Sequence, residues 1–77
     1  MQKKASVKTI LGKVIRQVRE EKGVTQERLA ELAEVDRTYI YRIESGKRSP
    51  SVDIIFRLAD ALKISPGNLL DRVNRLR

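Results

Sequence analysis

Residues 25–46 constrain the fold of this chain more than any other stretch, because they hold two short helical patterns with almost no room between them. The first pattern runs up to Glu34 and places leucine and alanine at helical spacing. The second begins at Asp36, a favourable N-cap residue, and stops before Gly46, which is favoured just beyond a helix C-terminus. Only Val35 and Asp36 are left for the corner, so the sequence predicts two helices joined by a very tight turn.

The second of these helices is expected to have one apolar side and one polar side. Ile40 and Ile43, one turn apart, are its only aliphatic side chains and are expected to face the core. At roughly 100° per residue, the other side chains divide between an outward face and two flanks. The outward face holds Thr38, Tyr41, Arg42 and Ser45, and the flanks hold Arg37, Tyr39 and Glu44. Arginine suits the acceptors of guanine, the threonine methyl suits that of thymine, and hydroxyls bond to bases or phosphates.

Such a face is typical of the second helix of a helix-turn-helix, which enters the major groove of DNA. An ordinary solvated helix face is the alternative. The formal net charge of +7 favours an anionic partner, and the charge is distributed in blocks. Residues 1–23 carry seven Lys or Arg against two acids, residues 24–36 carry one against four, and residues 37–48 carry four against one. A basic block therefore coincides with the predicted recognition helix.

Two residue types are absent from the sequence, and their absence narrows the expected function. The chain has no cysteine and no histidine, which removes disulfides, Cys-based metal sites and the commonest general base. We therefore expect no enzyme activity, no metal and no cofactor. With two Tyr, one Phe and no Trp, the chain is also a poor stacking platform for single-stranded nucleic acid. At 77 residues it is one domain with a modest core, to which dimerisation would add stability.

Five residue pairs and one glycine keep a specific spacing around the tight turn. They are Thr25-Gln26, Leu29-Ala30, Ile43-Glu44, Gly46, Pro50-Ser51 and Ala61-Leu62. On these residues the chain resembles, over about residues 10 to 65, the helix-turn-helix family of the Cro and lambda-type repressors. The DRTYI segment and the small size also resemble the controller proteins of restriction–modification systems. The resemblance implies that Gln26 contacts the DNA backbone, and that Glu44 pairs with Arg19 of the first helix as a partly buried brace.

The expected fold is all-α, a compact five-helix bundle that contains a helix-turn-helix at residues 25–46. Residues 1–6 are expected to form a flexible basic arm, and residues 7–77 a single domain. The other three helices are predicted at Val7 to Lys22, Val52 to Lys63 and Pro66 to Leu76. Gly12 interrupts the apolar stripe of the first helix, and close packing against another helix is a candidate explanation.

The expected DNA contacts fall into two groups. The side chains expected to contact base edges are Arg37, Thr38 and Arg42, with Tyr39, Tyr41 and Ser45 as second-rank candidates. Those expected to hold phosphates are Thr25, Gln26, Lys47 and Arg48. Phosphate contacts fix the register of the protein on the duplex but carry no sequence information. Plain solvent-exposed charge is the alternative for Lys47, and a plain polar helix start is the alternative for Gln26.

The C-terminal half of the chain has more apolar side chains than a small domain needs for its own core. The candidates for a contact with a second copy are Ile54, Phe56, Leu69, Val73 and Leu76. Two alternatives remain open at this point. Phe56 would fold back into the core of the same chain, and the stripe of the last helix would pack onto the first helix.

These features lead us to expect a sequence-specific regulator of transcription that binds double-stranded DNA as a homodimer on an inverted-repeat operator. The alternative is an antitoxin that silences a partner protein and represses its own operon, and a third hypothesis is an architectural protein with little sequence specificity. Lys8 and Lys13 interrupt the apolar residues of the N-terminus, so we expect neither a signal peptide nor a membrane span. A cytoplasmic protein of a bacterium or phage, with no small-molecule ligand, is the natural expectation.

Overall fold

Each helix begins at a side chain that caps it. The computed structural model describes residues 5–77, and five helices form within this part of the chain: α1 (Val7–Glu21), α2 (Gln26–Ala33), α3 (Arg37–Glu44), α4 (Val52–Ala61) and α5 (Pro66–Leu76). The side chains that accept a hydrogen bond from a backbone N–H of the first turn are Ser6, Thr25, Asp36, Ser51 and Ser65. Each satisfies a donor that the helix itself leaves unpaired. The predicted all-α, five-helix fold is confirmed.

The five helices contact one another in a closed ring. α1 packs on α3, α3 on α2, α2 on α4, α4 on α5, and α5 on α1. The ring encloses a single core whose apolar members are Ile10, Leu11, Val14, Ile15, Val18, Leu29, Ala30, Ala33, Ile40, Ile43, Leu58, Ala59, Leu62, Leu69 and Val73. Burial of one Val, Leu or Ile side chain contributes about 1.5–3 kcal/mol, so this core holds α3 in place through both of its isoleucines.

The corner between α2 and α3 contains Glu34, a residue that the sequence pattern predicts to be helical. Glu34 adopts a left-handed conformation (φ 58°, ψ 46°) and ends α2 at Ala33. The backbone N–H of Val35 then donates to the carbonyl oxygen of Ala30 at 3.0 Å, an arrangement that closes the helix end. Lys63 repeats this conformation after α4 (φ 56°), so α4 also ends earlier than predicted.

The N-terminal arm was predicted over residues 1–6. Residues 1–4 of that arm lie outside the described residues. Ser6 does not belong to an arm, because its side chain accepts a hydrogen bond from the backbone N–H of Thr9 and so starts α1.

Gly12 marks a close approach of α1 and α3. A Cβ atom at position 12 would overlap the carbonyl oxygen of Ile43 and would lie 3.0 Å from that of Glu44. Only a hydrogen atom fits there, so glycine is required by the packing and not by a turn. The last carbonyl groups of α3 therefore rest directly on the backbone of α1.

The structure corrects part of the predicted dimer surface. Leu69 and Val73 are 0% and 4% exposed and belong to the core, because α5 packs onto α1 of the same chain. Ile54 is half-buried against this core. Phe56 and Leu76 are 51% and 61% exposed, so the alternative in which Phe56 folds into the core of its own chain is wrong.

Candidate nucleic-acid interface

Helix α3 presents a polar face to solvent. Ile40 and Ile43 are 0% and 1% exposed and point into the core, so the opposite side of the helix is turned outward. The predicted members of the outward face, Thr38, Tyr41, Arg42 and Ser45, are all exposed, and so is Arg37 on one flank. Tyr39 on the other flank is half-buried against the core. The side chain of Tyr39 is therefore less accessible than those of the other candidates.

A buried ion pair fixes the end of α3 to α1. Arg19 donates from Nε to Oε2 of Glu44 at 2.6 Å and from Nη2 to Oε1 at 3.0 Å, and its Nη1 donates to the carbonyl oxygen of Val24 at 2.8 Å. The side chains of Arg19 and Glu44 are 11% and 3% exposed. The hydrogen bond that Arg19 donates to Glu44 raises the pKa of Arg19 above its ordinary value, so Arg19 stays charged, and its two bonds to the carboxylate form a bidentate fork. The predicted Arg19–Glu44 brace is present.

Gln26 extends this ion pair to the start of α2. Its Nε2 donates to Oε1 of Glu44 at 3.0 Å, so one carboxylate connects α1, α2 and α3. The amide nitrogen of glutamine carries two hydrogens, and the second remains suited to an acceptor outside the protein. The side chain that is expected to contact the DNA backbone is thus held in place by the end of α3.

The N-termini of α2 and α3 both carry polar capping side chains. The hydroxyl oxygen of Thr25 accepts from the backbone N–H of Arg28 at 3.0 Å, and Asp36 accepts from that of Thr38 at 2.7 Å. The Thr25 oxygen is used as an acceptor, which leaves its O–H hydrogen to donate. Backbone N–H groups at a helix N-terminus favour an anion, so the start of α2 suits a phosphate.

Arg37, in the first turn of α3, lies beside the first turn of α2. Its Nη1 is 3.9 Å from Oε2 of Glu27 in the first turn of α2, and the two side chains are 68% and 73% exposed. An ion pair this exposed contributes roughly 0–1 kcal/mol. Arg37 therefore lies beside the start of α2 and remains able to contact a ligand.

The loop after α3 folds back on the helix. Gly46 has φ 76° and its backbone packs against Thr9 of α1, so a side chain there would be strained and crowded. The backbone N–H groups of Lys47 and Arg48 both donate to the carbonyl oxygen of Arg42, at 2.9 and 3.1 Å. The guanidinium of Arg48 lies over the ring of Tyr39, 5.1 Å from its centre, within the range of a cation–π contact.

Two charged residues beside α3 were not identified from the sequence. Arg16 lines an open groove together with Gln26, Tyr41, Glu44 and Ser45. It precedes Arg19 by three residues on the same side of α1, so the predicted Arg19–Glu44 pair could have placed it there. Glu27 beside Arg37 had no comparable signal, because the two residues meet only once the angle of the corner is known.

Two kinds of feature are absent from residues 5–77. No helix in that part of the chain is long and apolar enough to cross a membrane. The same residues contain no cluster of acidic, histidine or cysteine side chains that would hold a metal ion.

An eight-residue helix, presented by a tight corner and exposing an arginine-rich polar face, defines a helix-turn-helix protein. The comparison with known families agrees with this class. A family model described as "Helix-turn-helix" matches residues 15–69. The chain belongs to this helix-turn-helix family, of the Cro and lambda-repressor type.

Similar proteins include controllers of restriction–modification systems. The control protein C.BamHI of Bacillus amyloliquefaciens is 39% identical over 67 residues, which are 86% of this chain and 83% of that protein. The crystal structure of the restriction-modification controller protein C.AhdI of Aeromonas hydrophila has a TM-score of 0.77 and 41% identity, and the match covers 79% of this chain and 92% of that one. The controller protein C.Esp1396I, solved as a tetramer with its natural 35 base-pair operator, has a TM-score of 0.85 and 29% identity over 94% of this chain and 95% of that one.

Proposed function

We propose that this protein is a sequence-specific regulator of transcription that binds double-stranded DNA as a homodimer on an inverted-repeat operator, in the manner of a restriction–modification controller. One observation carries the proposal. The outward face of α3 is polar and exposed, while its end is fixed by the buried Arg19–Glu44 pair and by the partly buried Gln26. A polar helix face held rigidly beside basic loops is suited to a DNA groove.

The comparisons support the same function. The relatives are named as control proteins and regulators, and C.Esp1396I is solved on its natural operator. The family is one of DNA-binding regulators and not of enzymes. Solved variants of C.Esp1396I replace an arginine, a threonine and a tyrosine at three consecutive positions. The same residue types occur here in the same order as Arg37, Thr38 and Tyr39.

Arg37, Thr38 and Arg42 contact base edges in this proposal, with Tyr41 and Ser45 beside them. Arg37 and Thr38 occupy the first turn of α3, the part of a recognition helix that contacts the bases. Thr25, Gln26, Lys47 and Arg48 contact phosphates from the two edges of the helix, and Arg16 joins them on the α1 side. A regulator with this task works where the DNA is, which for a bacterial cell is the cytoplasm.

The second copy is proposed to contact the exposed apolar side chains of α4 and α5. Val52 and Phe56, one turn apart on α4, are 69% and 51% exposed, and Leu76 at the end of α5 is 61% exposed. Contact with a second copy removes such side chains from water. Analytical ultracentrifugation is expected to show a dimer at micromolar concentration. A species that stays monomeric at ~100 µM contradicts the homodimer.

The function is tested by selecting a preferred site from random duplexes and then measuring the affinity of variants for that site and for a scrambled one across a salt series. Arg37→Ala is expected to lose about 1–3 kcal/mol on the preferred site and to relax the preference at one base pair in each half-site. Arg48→Ala is expected to weaken both duplexes and to lower the salt slope by about one unit. The two half-sites are expected as inverted repeats with centres roughly 34 Å apart.

Arg75→Ala is the matched control, because Arg75 is an exposed arginine of α5 that is paired with Asp71. It removes the same charge far along the chain from the proposed contacts and is expected to leave the base preference unchanged. If wild-type protein binds both duplexes equally at every salt concentration, the specific regulator is excluded and an architectural protein takes its place. If a second protein, encoded next to this gene, co-purifies with this one, the antitoxin is favoured.

A further inference from the structure

The two tyrosines of α3 lie in different surroundings. Tyr39 is half-buried against the core, and the guanidinium of Arg48 lies over its ring. Tyr41 is 53% exposed and belongs to the outward face of the helix. It is the only aromatic side chain on that face, which otherwise carries hydroxyl groups and an arginine. A single exposed aromatic side chain is ordinary on a protein surface, so the position of Tyr41 is more informative than its exposure.

Tyr41 and Thr38 are three residues apart on α3 and therefore lie on the same side of the helix. They border one open groove, which is also lined by Gln26 of α2 and by Arg37. Gln26 is held in place by its hydrogen bond to Glu44 at 3.0 Å. The groove thus combines an aromatic ring and a threonine methyl group with one guanidinium and one amide.

We propose that Tyr41 is a specificity-determining residue, whose ring, together with the methyl group of Thr38, contacts the C5-methyl group of a thymine. The proposal rests on the proposed function, in which this face of α3 enters the major groove. Among the four bases only thymine presents a methyl group there, whereas the others are distinguished by hydrogen-bond donors and acceptors. An aromatic ring beside a threonine methyl group removes the thymine methyl from water, which favours thymine over cytosine at the same place.

Arg37 sets the place of this thymine within the half-site. Its guanidinium suits the two major-groove acceptors of guanine, and it lines the same groove as Tyr41 and Thr38. A helix rises about 1.5 Å per residue, so Arg37 and Tyr41 are about 6 Å apart along the axis of α3. That distance is about two base-pair steps of roughly 3.4 Å. The contacted thymine is therefore expected within about two base pairs of the guanine that Arg37 contacts.

The hydroxyl group of Tyr41 offers a different use for the same side chain. Tyr41 also borders a second groove, on the side of Arg16, where the guanidinium suits a phosphate. A phosphate contact there would require the hydroxyl group and would be the same for every base, whereas the methyl contact requires only the ring. The first groove favours the ring, because Tyr41 meets Thr38 and Arg37 in that groove.

The test uses the preferred duplex with its thymines replaced one at a time by deoxyuridine, which lacks only the methyl group. Affinities are measured for each duplex at one fixed salt concentration. At one position in each half-site, within about two base pairs of the guanine, wild type is expected to bind the deoxyuridine duplex about three- to fivefold more weakly than the thymine duplex. This ratio corresponds to the loss of about one buried methyl group.

Three variants separate the ring from the rest of the face. Tyr41→Ala is expected to lower the ratio between the thymine and deoxyuridine duplexes to below about twofold, since only the Thr38 methyl group remains. Tyr41→Phe keeps the ring and is expected to keep the ratio. Arg42→Ala is the matched control, because it truncates another large exposed side chain of the outward face; it is expected to weaken binding to both duplexes and to leave their ratio unchanged.

The side chain of Tyr41 is exposed, so its variants are expected to fold and melt like wild type, which circular dichroism checks. If no deoxyuridine substitution weakens binding, or if Tyr41→Ala keeps the full ratio, the inference is wrong while the proposed function stands. A Tyr41→Phe protein that loses the ratio would assign the effect to the hydroxyl group and would also overturn the inference. If wild type binds preferred and scrambled duplexes equally, the proposed function itself fails.

Discussion

The two faces of α3 are built on opposite principles. The inner face is buried and heavily bonded: two isoleucines in the core, the backbone of Gly12 against the last carbonyl groups, and a carboxylate with hydrogen bonds from Arg19 and Gln26. The outer face is exposed, and the ion pair on its flank, between Arg37 and Glu27, is long and solvated. The helix itself is only 8 residues long.

This difference shows where the order of the outer face comes from. An isolated helix of this length is unstable in water, since helices below about 12–15 residues are marginal on their own. The outer side chains therefore owe their positions to contacts on the inner face. Substitutions on the inner face should change stability and DNA binding together, whereas substitutions on the outer face should change binding alone.

The largest effect is expected from Glu44→Ala. Removing the carboxylate leaves Arg19 as a charge with most of its side chain buried, at a cost of about 3–5 kcal/mol, which lowers the melting temperature by more than about 10 °C for a domain of this size. Glu31→Ala, on an exposed face of α2, is expected to stay within about 0.5 kcal/mol of wild type. Equal melting temperatures for the two variants would show that the inner face does not depend on this ion pair.

Gly12→Ala is expected to cost about 1–3 kcal/mol, because a Cβ at position 12 meets backbone atoms of α3 that cannot rotate away. Gly67→Ala is the control, since a Cβ at position 67 meets no described atom within 4 Å apart from its chain neighbours and the backbone of its own helix; it is expected to be neutral or slightly stabilising. Thermal unfolding measures both. The affinity of Gly12→Ala for the preferred duplex should also fall, measured below its melting temperature. Normal affinity in a destabilised Gly12→Ala protein would show that the outer face of α3 does not depend on the contacts of its inner face.

Tyr39 joins the two faces, because its ring packs on the core and carries the guanidinium of Arg48. A double-mutant cycle is expected to give a coupling of about 0.5–1 kcal/mol between Arg48→Ala and Tyr39→Leu in binding to DNA. Tyr39→Phe keeps the ring and should keep the contribution of Arg48. If Tyr39→Phe loses as much affinity as Tyr39→Leu, the hydroxyl of Tyr39 contacts DNA itself, which is the role that the sequence predicts for Tyr39, and the ring contributes little.

The smallest effect concerns the corner, which belongs to neither face. Glu34→Gly relieves a left-handed conformation that costs a residue with a Cβ about 1–2 kcal/mol, offset by the greater freedom of glycine in the unfolded chain. A net gain of about 0.5 kcal/mol in the free energy of unfolding is expected. Glu31→Gly, within α2 itself, is expected to lose about 1 kcal/mol. Denaturant titration resolves the opposite signs, and a loss in both variants would contradict the strain at Glu34.

The elements of this fold were predictable because their signals are local. Caps such as Asp36 and Ser65 and the apolar spacing of each helix depend on neighbours in sequence. Glu34 was placed in the helix because nothing about a glutamate indicates a left-handed conformation. The apolar residues Leu69 and Val73 predict that one face of α5 is buried, but they do not identify the element that buries it. In the structure, α1 of the same chain packs on this face.

The sequence predicts the outward residues of α3 but not all of the charged residues around it. Counting around α3 from its isoleucines placed the outward residues, since rotation per residue is a property of the helix alone. The Arg19–Glu44 pair came from the family resemblance and not from spacing. Glu27 and Arg16 were missed because their relation to α3 depends on the crossing of separate helices.

The backbone contact at Gly12 has a consequence for how such a protein changes its target. Because α3 sits on α1 through main-chain carbonyl groups, its docking does not depend on which side chains occupy the outer face. Thr38, Tyr41 and Arg42 can be exchanged without moving the helix that carries them. A new operator preference is therefore within reach of a few outward substitutions on an unchanged scaffold, and two genes that differ at those positions would control separate promoters in one cell with little cross-talk.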